Sequence, residues 1–206
     1  VIQNYYCKVR ILFLIHYNEL CVMSHLVKIN PLEIINKYYP KGSQIYHVLV
    51  RHSEQVRDKA LEVAAFHPEL HLDTQFISEA AMLHDIGIFL CDAPRIYCHG
   101  VYHYVQHGYL GADLLREEGF PHHALVCERH TGVGVSLEMI VKGNLPLPHR
   151  NMLPISIEEQ VICYADKFFS KTQLDEEHSL DRIRTVLGRF GESQVTKFND
   201  WHSRFK

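Results

Sequence analysis

Apolar residues recur at helical spacing along almost the whole chain, and the breaks between the stripes fall at recognisable caps. Pro31 suits the first turn of a short helix through Tyr39, closed by Pro40 and Gly42. Ser43 caps a long helix to about Phe66, with Ile45, Leu49, His52, Val56, Ala60 and Val63 on one stripe. Asp73 or Thr74 starts the next, whose inward face carries Phe76, Ile77, Ala80, Ala81, Leu83 and His84 as far as Gly87. Residues 88–101 read as loop, 102–118 as helix, Pro121 to about His130 as helix, and Ser136 to Lys142 as one or two turns. Three prolines make 144–154 a loop. Ser156, with Glu159 at the capping-box position, opens another helix, and Ser179 and Glu192 open two terminal ones. No run of alternating β-branched residues, glycine-rich phosphate loop or internal repeat interrupts this pattern. The expectation is an all-α, single-domain helical bundle.

The polar residues that fall on those apolar stripes are the informative ones. His52 lies between Val48 and Val56, His84 follows Ile77 and Ala81 with Asp85 beside it, and His107 lies between Tyr104 and Leu110. His130 follows Val126 and Cys127, and Asp166 lies between Ile162 and Phe169. An unpaired ionised carboxylate in a core costs several kcal/mol. A divalent cation removes that cost, and imidazole with carboxylate suits Zn, Fe, Mn or Ni. Histidine is also over-represented, at 16 of 206 residues.

Composition narrows the classes. The apolar fraction of 47% and charged fraction of 22% are those of a globular domain. A net charge of −3 argues against a nucleic-acid partner held by phosphate neutralisation. The six cysteines include no C-x-x-C pair and read as reduced thiols of a cytoplasmic protein. No apolar run approaches a membrane span, so no membrane partner is expected. Residues 1–22, ahead of Met23, read as an appendage; 23–178 would be the functional domain and 179–206 two helices packed on it.

The ordered set resembles the HD superfamily of metal-dependent phosphohydrolases, in its HDIG-type form. His52, the His84-Asp85 pair within His-Asp-Ile-Gly, and Asp166 in Ala-Asp-Lys match that family's H…HD…D ligands in order and rough spacing. His107 in His-Gly-Tyr-Leu-Gly-Ala and His130 in Glu-Arg-His-Thr-Gly match the two extra histidines of binuclear members. The resemblance covers about residues 43–170. It implies a first metal on His52, His84, Asp85 and Asp166 and a second on Asp85, His107 and His130. The ions would be divalent, two in number, with Fe, Mn, Zn, Ni and Mg not distinguished.

By the same resemblance the chain would cleave a phosphomonoester, phosphodiester or nucleotide through a metal-activated hydroxide. Asp85 would bridge the ions, Lys167 would orient the phosphate, and Arg129 and Arg150 are weaker candidates for that role. Residues 88–101 and 144–154 would frame the mouth. Two departures weaken particular substrates. Thr131-Gly132-Val133-Gly134 stands where the cyclic-di-GMP branch has Gly-Tyr-Pro, and Ile86-Gly87-Ile88-Phe89 replaces the carboxylate of mononuclear nucleotidases. The alternatives are a di-iron oxygenase of the HD type and a non-catalytic nucleotide-binding regulator. His99, His103 and His107, spaced i, i+4 and i+8, offer a weak separate zinc site. His122 and His123 are expected at the surface.

Overall fold

The structure, a computed structural model, describes residues 29–206; the expected appendage at 1–22 lies outside them. Among the described residues the chain is all-α, with one hairpin of two-residue strands. Helix α1 (Pro31–Tyr38) begins on its proline and buries Ile34 and Ile35. The Tyr39 hydroxyl just beyond it donates to the Ile86 carbonyl at 2.6 Å, anchoring the turn that follows the His-Asp pair. Helix α2 (Gln44–Phe66) starts where the Ser43 hydroxyl accepts from the Tyr46 amide, and it buries Leu49, His52, Val56, Ala60 and Val63. Helix α3 (Thr74–Leu83) is capped by Asp73, whose carboxylate accepts from the Phe76 amide at 2.9 Å.

Helix α3 ends sooner than its apolar stripe. His84 is its cap, and residues 85–87 form a tight turn, not a last helical turn. The cause is local: the His84 ring takes the Ala81 carbonyl at 2.6 Å, so the chain turns there. Gly87 completes the turn against helix α4 (His107–Glu117), and any Cβ there would sit 2.3 Å from the His107 carbonyl and 2.5 Å from the Gly111 amide. The absence of a side chain at Gly87 therefore lets Asp85 and His107 meet.

The stretch 102–118 is not one helix. A 3₁₀ turn at Tyr104–Gln106, capped by His103, precedes α4. The expected loop at 88–101 carries 3₁₀ turns at Ile88–Leu90 and Pro94–Ile96 and the hairpin β1 (Asp92–Ala93) with β2 (Cys98–His99). Helix α5 (Pro121–Arg129) packs along α4, and α6 (Leu137–Lys142) follows. Helix α7 (Ile157–Asp166) has the reciprocal Ser156–Glu159 box, and it packs on α2, α3 and α5. Helices α8 (Leu180–Gly188) and α9 (Glu192–Phe205) put Ile183, Leu187, Phe198, Trp201 and Phe205 into the same core as Val56, Ile77 and Ile162. Burying a side chain such as Phe198 contributes about 1.5–3 kcal/mol, so this pair is integral to the core. No described helix is long and apolar enough to cross a membrane. The four described cysteines, Cys91, Cys98, Cys127 and Cys163, are free and buried.

Candidate metal centre

Helix ends converge on one buried point. His52 comes from the middle of α2, where its apolar neighbours hold it inward. Asp166 is the last residue of α7, His107 the first of α4, and His84 and His130 cap the ends of α3 and α5. All six expected donors are buried. They fall into two sets that share Asp85: His52, His84, Asp85 and Asp166, and Asp85, His107 and His130, each set with one ligand atom per residue within 4.8 Å of the others.

Three of the imidazoles are oriented in the same way. His84, His107 and His130 each turn Nδ1 to the carbonyl three residues back, at 2.6, 2.6 and 2.7 Å. A carbonyl only accepts, so each Nδ1 carries the proton and each Nε2 faces the centre with its lone pair free in the neutral ring. His52 reaches in through Nε2, 3.0 Å from Asp166 Oδ1 and 3.2 Å from Asp85 Oδ2. Asp85 divides its two oxygens: Oδ2 lies 3.1 Å from His84 Nε2, while Oδ1 lies 3.2 Å from His107 Nε2 and 3.4 Å from His130 Nε2.

This arrangement fits divalent cations. Neither Asp85 oxygen nor His84 Nε2 makes a hydrogen bond, although ion-pair neighbours are close. A buried polar atom left so costs about 1–3 kcal/mol. The Nε2 atoms of His107 and His130 are 3.1 Å apart with both Nδ1 protons committed elsewhere. Either one ring is doubly protonated or a cation lies between them. Burial drives the His130 pKa down to about 4, which leaves that ring neutral.

At His84, Asp85 and Asp166 burial opposes charge, and the neighbours decide the outcome. At His84 burial is outweighed by Asp85 and Asp166, and the pKa rises to about 9. Asp85 stays well below the usual carboxylate range despite burial, because Lys171, His84 and the histidines facing Oδ1 favour the anion. Asp166 does so against Lys167, His52 and His84.

Lys167 lies beside the centre, as the sequence suggests, with two of its three N–H donors engaged. Its Nζ is 2.7 Å from Asp166 Oδ2 and donates to the His130 carbonyl at 3.1 Å. The sequence reading overlooked Lys171, whose Nζ lies 2.5 Å from Asp85 Oδ2 with its side chain only 13% exposed. Tyr104 lines the same cavity as Lys171, and its ring stacks on His107 with centroids 4.7 Å apart. Neither arginine joins them: Arg129 pairs with Glu159 at 3.0 Å, and Arg150 with Glu128 at 2.6 Å.

A cavity of about 370 Å³ is lined by the charged or polar side chains of Asp166, Lys167, Lys171, Tyr104, Arg95 and His178 together with apolar ones that include Ile96, Ile183, Val186 and Leu187. The 88–101 segment contributes Ala93, Arg95 and Ile96 to it. The 144–154 loop does not line it; Leu147 and Met152 are instead tied into a small separate core with Val135 and Ile140. Segment 169–172 and helix α8 take its place. His99 and His103 stand apart from His107, the first on β2 and the second capping a 3₁₀ turn. His123, expected at the surface, is buried with Nε2 3.2 Å from Glu79 Oε2 and its ring against Phe76 and Phe120.

The HD domain profile matches residues 49–170, which contain every donor above. An uncharacterized protein of Methanocaldococcus jannaschii is 32% identical over 148 residues, covering 66% of this chain and 80% of that protein. A tRNA (cytidine(56)-2'-O)-methyltransferase of Thermoplasma volcanium is 33% identical over 147 residues, 70% of this chain but 38% of the enzyme. The enzyme of the same name from Picrophilus torridus is 29% identical over 155 residues, 74% of this chain and 41% of its own length. The chain therefore spans about two fifths of these methyltransferases. No solved structure gives a significant match.

Proposed function

The chain belongs to the HD domain family, and from that premise we propose that it is a metal-dependent phosphohydrolase acting on a small phosphomonoester, phosphodiester or nucleotide. The observation that carries this reading is the pair of part-buried ammonium groups, Lys167 and Lys171, lining a cavity that meets the donor set at Asp166. Two cations beside a potential divalent site favour a multiply charged anion over an uncharged substrate.

His52, His84, Asp85 and Asp166 would hold one ion and Asp85, His107 and His130 a second. When bound, such ions supply charge neutralisation, a template for phosphoryl oxygens and activation of water. The chain's own part is positioning. Carbonyl hydrogen bonds fix three rings in the tautomer that presents Nε2. Lys167 braces Asp166 against the His130 backbone, which makes it a positioning residue. Lys171 is the better candidate to meet the phosphate. Burial opposes its charge, but Asp85, Tyr104 and Asp166 raise its pKa, so it acts as a fixed cation and not as a proton donor. Tyr104 stacks on the His107 ring and so fixes its plane beside the same cavity.

Methyl transfer is not carried over from the two methyltransferases, because the likeness covers only 38% and 41% of their length. A cytoplasmic setting and a phosphorylated small molecule as partner belong to the same proposal. The test is elemental analysis of the purified chain, then a phosphatase and phosphodiesterase panel under each metal found, with oxygen uptake recorded in parallel. Metal-dependent phosphate release is the expected result. Oxygen consumption without phosphate release, or turnover of nothing on the panel by a fully metallated chain, would overturn the reading.

A further inference from the structure

The cavity beside the centre holds one cation that the carboxylates of the metal site do not use. Asp166 is the sole carboxylate among its lining residues, against Arg95, Lys167 and Lys171. His178 lines it too, but burial lowers the pKa of that imidazole, so it adds no fixed charge near neutral pH. The two lysines belong to the centre: Lys167 Nζ lies 2.7 Å from Asp166 Oδ2, and Lys171 Nζ lies 2.5 Å from Asp85 Oδ2. Arg95 differs from both. It is exposed, and among the described residues no carboxylate pairs with its guanidinium. Its backbone is nevertheless held. Arg95 is the middle residue of the 3₁₀ turn Pro94–Ile96, which the Tyr97 amide closes by donating to the Pro94 carbonyl at 3.0 Å, and Ile96 beside it is buried. Ala93 and Cys98 pair across the hairpin on either side of that turn. A permanent cation carried on a fixed turn at the cavity, with no counter-charge of its own, favours an anion there.

We propose that Arg95 selects substrates that carry a second anionic group, a phosphate or a carboxylate, in addition to the phosphate ester that is hydrolysed. The proposal rests on the phosphohydrolase reading and adds the substrate class. The ester phosphate answers to Lys171 and the donor set. The second anion takes the planar, two-pronged hydrogen bonding that a guanidinium offers and an ammonium does not. A substrate with a neutral tail leaves Arg95 in water and gains nothing from it. Arg95 is thus a specificity-determining residue and not a catalytic one.

The experiment measures binding to the metal-loaded full chain by calorimetry, in wild type and in R95Q, a change at an exposed position with no ion pair to lose. The probes are inorganic phosphate, propyl phosphate, the propyl ester ending in a carboxylate, and the bisphosphates of propanediol and pentanediol, which place the second anion at two reaches. A charge-assisted contact of this kind is worth about tenfold in affinity. At least one ligand with a second anion should therefore bind wild type about tenfold more tightly than propyl phosphate does, and in R95Q that advantage should shrink to about twofold or less. Coordination of the second anion to a metal ion is common to both chains and cancels in the comparison. Equal affinities for propyl phosphate and all three second-anion ligands in wild type, or an advantage undiminished in R95Q, would overturn the proposal while leaving phosphohydrolysis standing. Failure of inorganic phosphate and all the esters to bind would overturn the parent reading and this one together.

Discussion

Two buried carboxylates lie at or facing the end of α5, and they are treated in opposite ways. Glu128, on α5 itself, is 5% exposed at its side chain and flanked by guanidinium groups: Arg116 pairs with Oε2, and Arg150 meets Oε1 at 2.6 Å. Both oxygens are matched by permanent cations, and its pKa is lowered because Arg150 and Arg116 outweigh burial. Asp85, which His130 faces from just past the same helix, is fully buried among imidazole nitrogens and one ammonium, and neither oxygen makes a hydrogen bond. The first arrangement is closed by the protein's own charges. The second meets a single ammonium, at Oδ2, and turns Oδ1 to two imidazole nitrogens, an arrangement with room for a divalent cation's donor set. Burial alone therefore does not mark a site; unsatisfied burial does.

The comparison is broken most severely at the donors. Asp166→Asn is expected to reduce phosphohydrolase activity to background, with metal content falling in parallel by elemental analysis. On the sequence alone, this substitution should stabilise the metal-free chain, since it removes a buried charge. The structure reverses that expectation, because Asp166 is the counter-charge of Lys167 at 2.7 Å. Breaking a buried pair costs on the order of 3 kcal/mol, so chelator-treated Asp166→Asn should melt below chelator-treated wild type. Equal melting would show that Lys167 finds another partner.

Lys171→Met should come next. Losing one preorganised cation at a developing charge costs about 10²-fold in kcat/KM. Metal content should be unchanged, because Lys171 competes for Asp85 instead of supplying a ligand. Loss of metal in this variant would make it a structural residue.

The pH dependence sharpens the contrast. The metal-free chain holds a proton on His84 up to about pH 9, and metal uptake must release it from Nε2. Divalent-ion affinity should therefore rise with pH until about 9, measured by titration in buffers of constant ionic strength. The metal-free fold has the opposite slope. The His84 pKa is raised from 6.5, so its contribution is complete below 6.5 and lost as pH rises through about 9. Glu128, whose pKa is lowered from 4.5, stabilises the fold above that value and ceases to do so as pH falls below it. Melting curves of the metal-free chain at pH 6 and 9 check the first sign, and curves at pH 5 and 3 the second.

Glu128→Gln should have the smallest effect. Arg116 and Arg150 are 35% and 49% exposed and can regain solvent, so the loss is about 1 kcal/mol of stability. Activity and metal content should not change. A loss of metal here would erase the distinction between the two carboxylates.

The sequence displayed the donors because each stands on a helical stripe where a charge is out of place. The caps at Ser43, Ser156 and Ser179 were visible for a similar reason: a hydroxyl two or three residues ahead of an apolar run has a local meaning. Lys171 was not visible. It lies in the aperiodic stretch between α7 and α8, and its approach to Asp85 is set by tertiary folding across 86 positions. Arg150 was misread because an exposed loop arginine and the partner of a buried glutamate look the same in one dimension.

The central claim is that the site left open around Asp85 holds divalent ions that phosphate-ester hydrolysis requires. Its most direct test is a titration of the chelator-treated chain with each candidate ion, reading bound metal per chain and phosphate release on the same samples. The account expects saturation at two ions per chain, with turnover appearing as the sites fill and both abolished in Asp85→Asn. A wild-type chain that binds no divalent ion, or an Asp85→Asn chain that binds and turns over as wild type does, would contradict it.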